Sequence, residues 1–470
     1  MAANPHDVRI RAARWYALPV TTRVPLKFGR DTLTEVVCAR VCVIVSRADG
    51  TRAEGWGETP LSVQWIWPSA LSYAVRLNAL QEFCDVLTEA YAQFPARGHA
   101  LEIGHDFLEA VLPPLLKSFN STLPPGVRLP KLAALVCASA FDLALHDAYG
   151  VANEVPTYET YRQPWLNHDL AAFLQPAADT PAVSFVGQYP AHYFRQPPVT
   201  ALMAWHLVGG LDFLTLAEAG EALVNDGYPT TLDEWIRRDG LQALKVKCRG
   251  DDARWDFERL QKVAAVGLAG GVLYFTADFN CTVTDPAYVN GILDRVKEEL
   301  PELWSRLSYV EQPFPYELEQ HRIDVHSVSA RCPLFLDESA HDWRQVRLGR
   351  ELGWTGVALK TCKTQTGALL SLCWARAHGM QLMVQDLTNP MLAQVTHFLL
   401  AQHAPTIAGV ETNGMQFYPA ASAVEAQVHP GLYTRRHGQI DGATLAGAGF
   451  GYRLDAMSRV LPEPRCVFPC

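Results

Sequence analysis

Seven residues of two chemical types recur at regular places in the second half of the chain. Acids occur at Asp278 in "ADFN", Glu311 in "VEQP" and Asp337 in "LDES". Lysines precede them at Lys245 and Lys247 in "LKVK", and follow them at Lys360 and Lys363 in "ALKTCK". Carboxylates brought together repel one another and require a compensating cation. A hard divalent ion with oxygen ligands suits such a set: Mg2+, with Mn2+ as the alternative. A single acid is usually an ordinary solvated side chain, whereas three in the same place on consecutive units point to a site. Lys245 and Lys247 are separated only by Val246, so a strand places both on one side. Their mutual repulsion and partial desolvation are expected to lower a pKa toward neutrality, and a lysine so tuned is a base. For Lys245 and Lys363 the alternative is structural, an ammonium that only pairs with one of the acids.

The elements that must position these groups are legible as eight short apolar runs, "AWHLVGGLD", "LQALKVK", "GVLYFTADFN", "LSYVEQP", "PLFLDES", "GVALKTCK", "QLMVQD" and "TIAGVET". They close on Asp212, Lys247, Asp278, Glu311, Asp337, Lys360, Asp386 and Glu411, which from Lys247 onward recur every 23 to 33 residues. That is near the ~31 residues per strand and helix of a ~250-residue eightfold barrel. Strands alternating with helix-like segments imply parallel pairing through crossover helices. The expected fold class is therefore α/β, a (β/α)8 barrel with an α+β N-terminal capping domain. C-terminal strand ends of such a barrel face one shared site. The three acids then sit side by side, with lysines of the second and sixth strands on opposite sides of the circle.

The expected division is 1–175 for the cap with an irregular insertion to about 200, 201–415 for the barrel, and 416–470 for a segment packing back on the cap. "VVCARVCVIVS" and "AEGWGE" read as a hairpin. "SALSYAVRLNALQEFCDVLTEAYAQF" and "LAALVCASAFDLALHDAYG" have helical periodicity, the second closing on Gly150 as a C-cap would. Residues 19–31 and 59–70 are expected as loops over the barrel mouth. Within them Trp65 and Trp67 face either substrate or the cap interface. His206, Asp212 and Asn413 either contact substrate or close the barrel, and His429 reads as a satisfied structural histidine.

At 470 residues the chain is long enough for two domains or a capped barrel. A 49% hydrophobic, 19% charged composition supplies a large core, and a net charge of −9 speaks against nucleic acid or anionic membrane as partner. The first twenty residues show no apolar stretch before a cleavage site, and no apolar run reads as a membrane span. The 11 cysteines are scattered, and the closest pairs, Cys38/Cys42 and Cys466/Cys470, lack zinc spacing. Reduced thiols and a cytoplasmic setting are expected, with a C-terminal disulfide as the alternative.

Taken in order, "KVK", "DFN", "EQP", "DES" and "ALKTCK", with "GWGETP" (55–60) and "AFDLALHDAYG" (140–150), resemble the enolase superfamily, in its muconate-lactonizing-enzyme-like branch within the mandelate racemase/muconate lactonizing enzyme family. The resemblance covers most of the chain apart from 155–200 and parts of the cap. It implies that Asp278, Glu311 and Asp337 are metal ligands, with Asn280 and Glu338 as their neighbours. It implies that Lys247 and Lys360 are opposed catalytic lysines, Lys245 the partner of Lys247, and Glu411 an acid near the substrate oxyanion. Lys363, Asp386 and Asn413 fall where they would support the site or touch substrate. Two departures concern the pocket: "KTCKTQTG" lacks a Gly-Gly pair after the sixth-strand lysine, and the seventh strand ends in Asp386, where relatives often carry small residues. A histidine that would point to the mandelate-racemase-like branch is absent there.

The activity so implied is Mg2+-dependent removal of a proton α to a carboxylate, through an enolate, from a small-molecule carboxylate substrate. Return of the proton makes an isomerase (racemase, epimerase or cycloisomerase), the preferred reading; loss of a β-group makes a dehydratase of an acid sugar or related hydroxy acid. A metal-binding but inert relative is the third reading. Relatives are commonly symmetric homo-oligomers.

Overall fold

The computed structural model describes residues 4–28 and 31–469. An antiparallel meander of β1 (Val8–Phe28), β2 (Asp31–Arg47) and β3 (Arg52–Pro60) opens the chain, and the short β4 (Arg97–Gly98) adds to β1. The β-branched run in β2 makes it the central, buried strand. Residues 19–28 therefore continue β1, and Asp31 begins β2, in place of the expected loop. Gly29 and Arg30 lie outside the described residues.

Helix Tyr73–Gln93, capped by Ser72, and helix Lys131–Ala152 cover this sheet. The second is long and apolar enough to cross a membrane by length and composition, a property the run-by-run reading missed. It is buried inside the protein along that whole apolar window, between the sheet on one side and the barrel on the other, so its hydrophobicity serves the core. Gly55 of β3 lets it approach, since a Cβ there would stand 2.0 Å from the Ala148 backbone nitrogen. Gly150 is not the C-cap; the helix runs through it to Ala152 and ends on Asn153. A Cβ at Gly150 would meet Gly449 Cα at 2.8 Å, so close crossing by the C-terminal tail is what requires glycine there.

Between Asn153 and Thr200 the chain has no regular strand or α-helix, only three short 3-10 turns. Tyr158, Tyr161, Phe173, Phe185 and Phe194 fold it onto the barrel-side core, where burial of each aromatic ring contributes about 1.5–3 kcal/mol. It lies against outer barrel helices, through Trp374 Nε1 donating to Gln175 O at 2.9 Å and Arg195 N to His403 O at 2.7 Å.

The barrel strands are β5 (Ala201–Val208), β6 (Ala243–Lys247), β7 (Tyr274–Asp278), β8 (Leu307–Glu311), β9 (Leu334–Leu336), β10 (Gly356–Leu359), β11 (Gln381–Val384) and β12 (Val410–Glu411). They pair in parallel, each with the next from β5 to β11, and β12 returns to β5. Closure from β11 toward β12 uses the hydrogen bond Ile407 N to Leu382 O, at 2.9 Å, in place of a ladder. β5 stops at Val208, four residues before Asp212, whose Oδ2 accepts from Gly209 N and fixes the turn. β13 (Gln439–Asp441) pairs with β5, and β14 (Cys466–Phe468) extends the cap sheet at β1. Cys470, half of the C-terminal disulfide alternative, lies outside the described residues.

The barrel interior is filled in layers. Trp205, Ala243, Tyr309, Phe335 and Met383 form a closed apolar floor. Two residues further along each strand, on the same inward face, come Leu207, Lys245, Glu311, Asp337 and Gln385.

Candidate active site at the C-terminal end of the barrel

Strand register sets the first relations in the site. Lys247 pairs with Asp278 across β6 and β7, and Asp278 with Glu311 across β7 and β8. Asp337 follows the last residue of β9, and Lys360 the last residue of β10. Left-handed backbone at Asn280, Cys281 and Gln312 turns the chain sharply away just beyond these ends. Asn280 N then donates to Asp278 Oδ1 at 2.9 Å, and Gln312 Oε1 accepts from Asp337 N at 2.8 Å.

The side chains converge. Lys245 Nζ lies 2.5 Å from Glu311 Oε1, 3.0 Å from Glu411 Oε2 and 3.1 Å from Asp278 Oδ2. Lys247 Nζ lies 2.5 Å from Asp278 Oδ2. On the far side Lys360 Nζ is 3.1 Å from Asp337 Oδ2 and 3.0 Å from the Asp386 carbonyl, and Lys363 Nζ is 3.5 Å from Asp337 Oδ1. All eight of these side chains are buried. A narrow cavity of about 40 Å3 touches Lys245, Lys247, Asp337 and Lys360 at once, under Leu26, Phe28 and Leu33 of the cap hairpin.

Electrostatics correct one expectation. Burial works to lower the Lys245 pKa, but Glu311, Glu411 and Asp278 outweigh it and hold the ammonium well above its ordinary value. Lys245 is thus a fixed positive charge, and within the pair it is not a lysine whose pKa falls. Lys360 is likewise raised, burial being overcome by Asp337. The lysine that falls is Lys363, through burial with Lys360 alongside. Burial drives the carboxyl of Glu338 up to about 7, reinforced by Asp337 and Asp278.

The remaining residues fall into two groups. Asn280 Nδ2 and Trp65 Nε1 both donate to Glu338 Oε1, at 3.1 and 2.9 Å, so Glu338 ties the cap to the acid cluster. Trp65 thus faces the site, while Trp67 is buried and its carbonyl accepts from Arg76. Asp386 and Asn413 close the barrel: Asp386 Oδ2 accepts from Asn413 N and Asn389 N, and Asn413 Oδ1 accepts from Leu207 N. Asn413 Nδ2 also reaches Glu411 Oε1 at 2.8 Å. His206 is half a period off, packing outward against Trp235. His429 is satisfied on both ring nitrogens by Thr444 and the Tyr452 carbonyl.

Gln385 was missed. Its Nε2 donates to Glu311 Oε2 at 2.5 Å and its Oε1 accepts from Lys245 at 3.3 Å. The signal was available: it stands two residues after Met383, on the inward face, where Asp386 is out of phase. Gln312, in "EQP", is a second positioning residue, and only its left-handed turn gives it that reach.

The donor set suits a divalent cation. Three carboxylates arrive from adjacent strand ends, Asp337 Oδ1 accepts no hydrogen bond, and five buried acids (Asp278, Glu311, Asp337, Glu338, Glu411) face four lysines. Among the described residues no three acids, histidines or cysteines stand pre-clustered for a metal, because the carboxylates turn to the ammonium groups. Hard oxygen donors with a surplus of negative charge fit Mg2+.

Residues 228–458 match the sequence profile of the family described as enolase C-terminal domain-like. That stretch, most of the barrel, is similar to the enolase C-terminal domain-like family. Solved structures of the mandelate racemase/muconate lactonizing enzyme family share its fold. A muconate lactonizing enzyme from Pseudomonas fluorescens, complexed with muconolactone, is 13% identical at a TM-score of 0.57, covering 94% of this chain and 96% of its own. An N-succinyl Arg/Lys racemase from Bacillus cereus is 16% identical at a TM-score of 0.59, covering 96% and 98%. A dipeptide epimerase from Enterococcus faecalis, complexed with Mg and the dipeptide L-Leu-L-Tyr, is 15% identical at a TM-score of 0.60, covering 94% and 99%. No curated protein sequence matches the chain. In this barrel the resemblance read from "KVK" to "ALKTCK" and the fold coincide.

Proposed function

We propose that this protein is a Mg2+-dependent isomerase that removes and returns a proton α to the carboxylate of a small organic acid. The observation that carries the reading is the placement of Lys247 and Lys360, on opposite flanks of the acid cluster and on one cavity. Asp278, Glu311 and Asp337 would hold the ion. Bound there, Mg2+ would supply a Lewis acid for the negative charge that develops on the substrate carboxylate as the proton leaves.

The chain's own residues do the rest. Lys247 or Lys360 takes the α-proton to its Nζ, and the other delivers one on the opposite face, which inverts the centre. Lys245, fixed as an ammonium between Glu311 and Glu411, holds positive charge where the substrate carboxylate would lie. The roof is apolar, formed by Leu26, Phe28, Leu33 and Leu387. That favours an apolar or amino-acid-derived acid over a polyhydroxylated acid sugar, whose hydroxyls need partners. Beyond Trp65 lies a cavity of about 380 Å3, bordered by Phe28, Gln64, Asn280, Tyr316 and Glu338. Displacement of Trp65 and Phe28 would join it to the narrow site and give room for the body of such a substrate. Racemases, epimerases and cycloisomerases among the structural neighbours support the same class of reaction.

The test is solvent deuterium incorporation at the α-carbon of N-acylated amino acids, dipeptides, muconolactone-type acids and acid sugars, with Mg2+ present. Wild-type protein should exchange at least one class, and Lys247→Ala and Lys360→Ala should each lose at least 100-fold. Exchange in both variants at the wild-type rate sinks the assignment. No exchange of any acid, with Mg2+ bound, favours the inert alternative.

A further inference from the structure

Asp31 opens β2 directly across the cap hairpin from Phe28, which roofs the lysine and carboxylate site. Residues opposite one another in an antiparallel pair share a face. Asp31 accordingly borders the cavity of about 380 Å3 beyond Phe28 and Trp65, the two side chains common to it and to the narrow site. That volume is within the ~300–1,000 Å3 typical of small-molecule pockets. The Asp31 side chain is half-buried, and among the described residues it makes no hydrogen bond or ion pair. Burial raises its carboxyl above the ordinary value, offset in part by the charges of Arg76 and Lys27. Neither cation touches it. Lys27 packs on Gly210 of the barrel, where a Cβ would stand 3.2 Å from Lys27 Cγ, and Arg76 Nη1 donates to Trp67 O at 2.6 Å.

The rest of the wall favours positive charge. Among the described residues the lining holds two acids, Asp31 and Glu338, and no lysine, arginine or histidine. Its side-chain N–H donors are already committed. Trp65 Nε1 and Asn280 Nδ2 donate to Glu338 Oε1 at 2.9 and 3.1 Å, and Gln64 Nε2 to Thr32 O at 3.2 Å. Glu338 is 4% exposed and its Oε2 accepts no hydrogen bond. That oxygen is covered and acts on a ligand only through its field, whereas the carboxylate of Asp31 is open to contact. Phe28, Trp65 and Tyr316 add aromatic rings, whose faces attract organic cations. An anionic group would meet Asp31 and find no side-chain N–H free to bind it.

We propose that Asp31 is a specificity-determining residue, and that the substrate is a carboxylic acid whose side chain ends in an organic cation, an ammonium or guanidinium, that Asp31 binds in this cavity. The inference rests on the reading of Lys247 and Lys360 as the groups that move the α-proton. The apolar stem of such a side chain passes Phe28 and Trp65, and its charged end donates to the one carboxylate of the wall that is both unpaired and open. A charge-assisted hydrogen bond at a partly desolvated acid discriminates strongly against a neutral side chain of the same length.

Deuterium exchange at the α-carbon of N-acetyl-lysine, N-acetylnorleucine and N-acetylglutamate, with Mg2+ present, tests this. Wild-type protein should process the lysine derivative at least tenfold more efficiently in kcat/KM than the norleucine derivative, with the advantage in KM. Asp31→Asn should bring that ratio to within twofold of one, and Asp31→Lys should place the glutamate derivative ahead of the lysine derivative. A ratio taken within one variant cancels any loss of folded protein. A wild-type ratio below tenfold, or a ratio unchanged in Asp31→Asn, overturns the cation subsite and leaves α-proton abstraction standing. If no acid exchanges, the α-proton reading falls, and calorimetric titration of the Mg2+-loaded protein with the same three acids decides the subsite alone. Tenfold tighter binding of N-acetyl-lysine than of N-acetylnorleucine, lost in Asp31→Asn, sustains it; equal binding or none overturns it.

Discussion

Trp65 of the cap donates its indole hydrogen to Glu338 of the barrel at 2.9 Å, and the same indole ring lies 5.1 Å from Lys360 Nζ. One aromatic side chain thus links the lid, the acid cluster and a lysine of the site. Trp65→Phe keeps a ring face for the ammonium and removes the donor. Loss of one hydrogen bond to a buried acid should lower stability by about 1–2 kcal/mol. A fall of roughly tenfold in α-proton exchange should accompany it, since Lys360 loses its fixed neighbour. Chemical denaturation and exchange rates, compared with Trp65→Ala, check both; wild-type exchange in both variants would show that the indole only fills space.

Lys245 compensates Glu311, Glu411 and Asp278 together. Lys245→Met leaves Glu311 and Glu411 buried without an ammonium, while Asp278 keeps Lys247, which should cost about 3–5 kcal/mol. Millimolar Mg2+ should then raise the melting temperature of the variant by more than that of wild type, because the ion takes over the charge that the ammonium supplied. Equal shifts in the two proteins would mean that the ion and Lys245 do not share carboxylates. Chelation should reverse the gain in each.

Asp147, on the long core helix, accepts from Trp56 N and Phe450 N at 2.8 and 2.7 Å. Burial raises its pKa from 3.8 to about 7, against those two hydrogen bonds. An acid raised on folding binds its proton in the native state, so its contribution to stability is complete below about pH 4 and is lost as pH rises to about 7. Asp147→Asn should be the less pH-dependent protein across that interval. The stability difference between the two should shrink by on the order of 2–4 kcal/mol from pH 4 to pH 8. Urea denaturation at pH 4.5, 6 and 8 measures it, and a pH-independent difference would show that Asp147 is ionised throughout.

Much of the barrel and the acid triad was legible in the chain because both obey short-range rules. Strand and helix alternate at a nearly constant step, and a strand's period of two decides which residues point inward. Lys245, Lys247, Asp278, Glu311, Asp337 and Lys360 all fall at the ends expected for them. Where strand phase was not followed, a residue was missed. Asp386 does border the narrow cavity, but Gln385 shares the inward phase of Met383 and makes the contact to Glu311. Gly150 has the composition of a cap, yet its role is set by Gly449, about 300 residues away, which no local pattern reveals.

The sequence by itself determined the alternation of elements, the identities of the acids and lysines, and the end of the barrel at which they stand. These follow from steric periodicity and residue chemistry along one stretch of chain. The tertiary structure decided the charge state and company of each group. Like-charge crowding was expected to lower a pKa within the Lys245 and Lys247 pair, but Lys245 is held charged because Glu311, Glu411 and Asp278 arrive from three other strands. Coulomb interaction depends on distance through space, and those distances exist only once the sheet has closed.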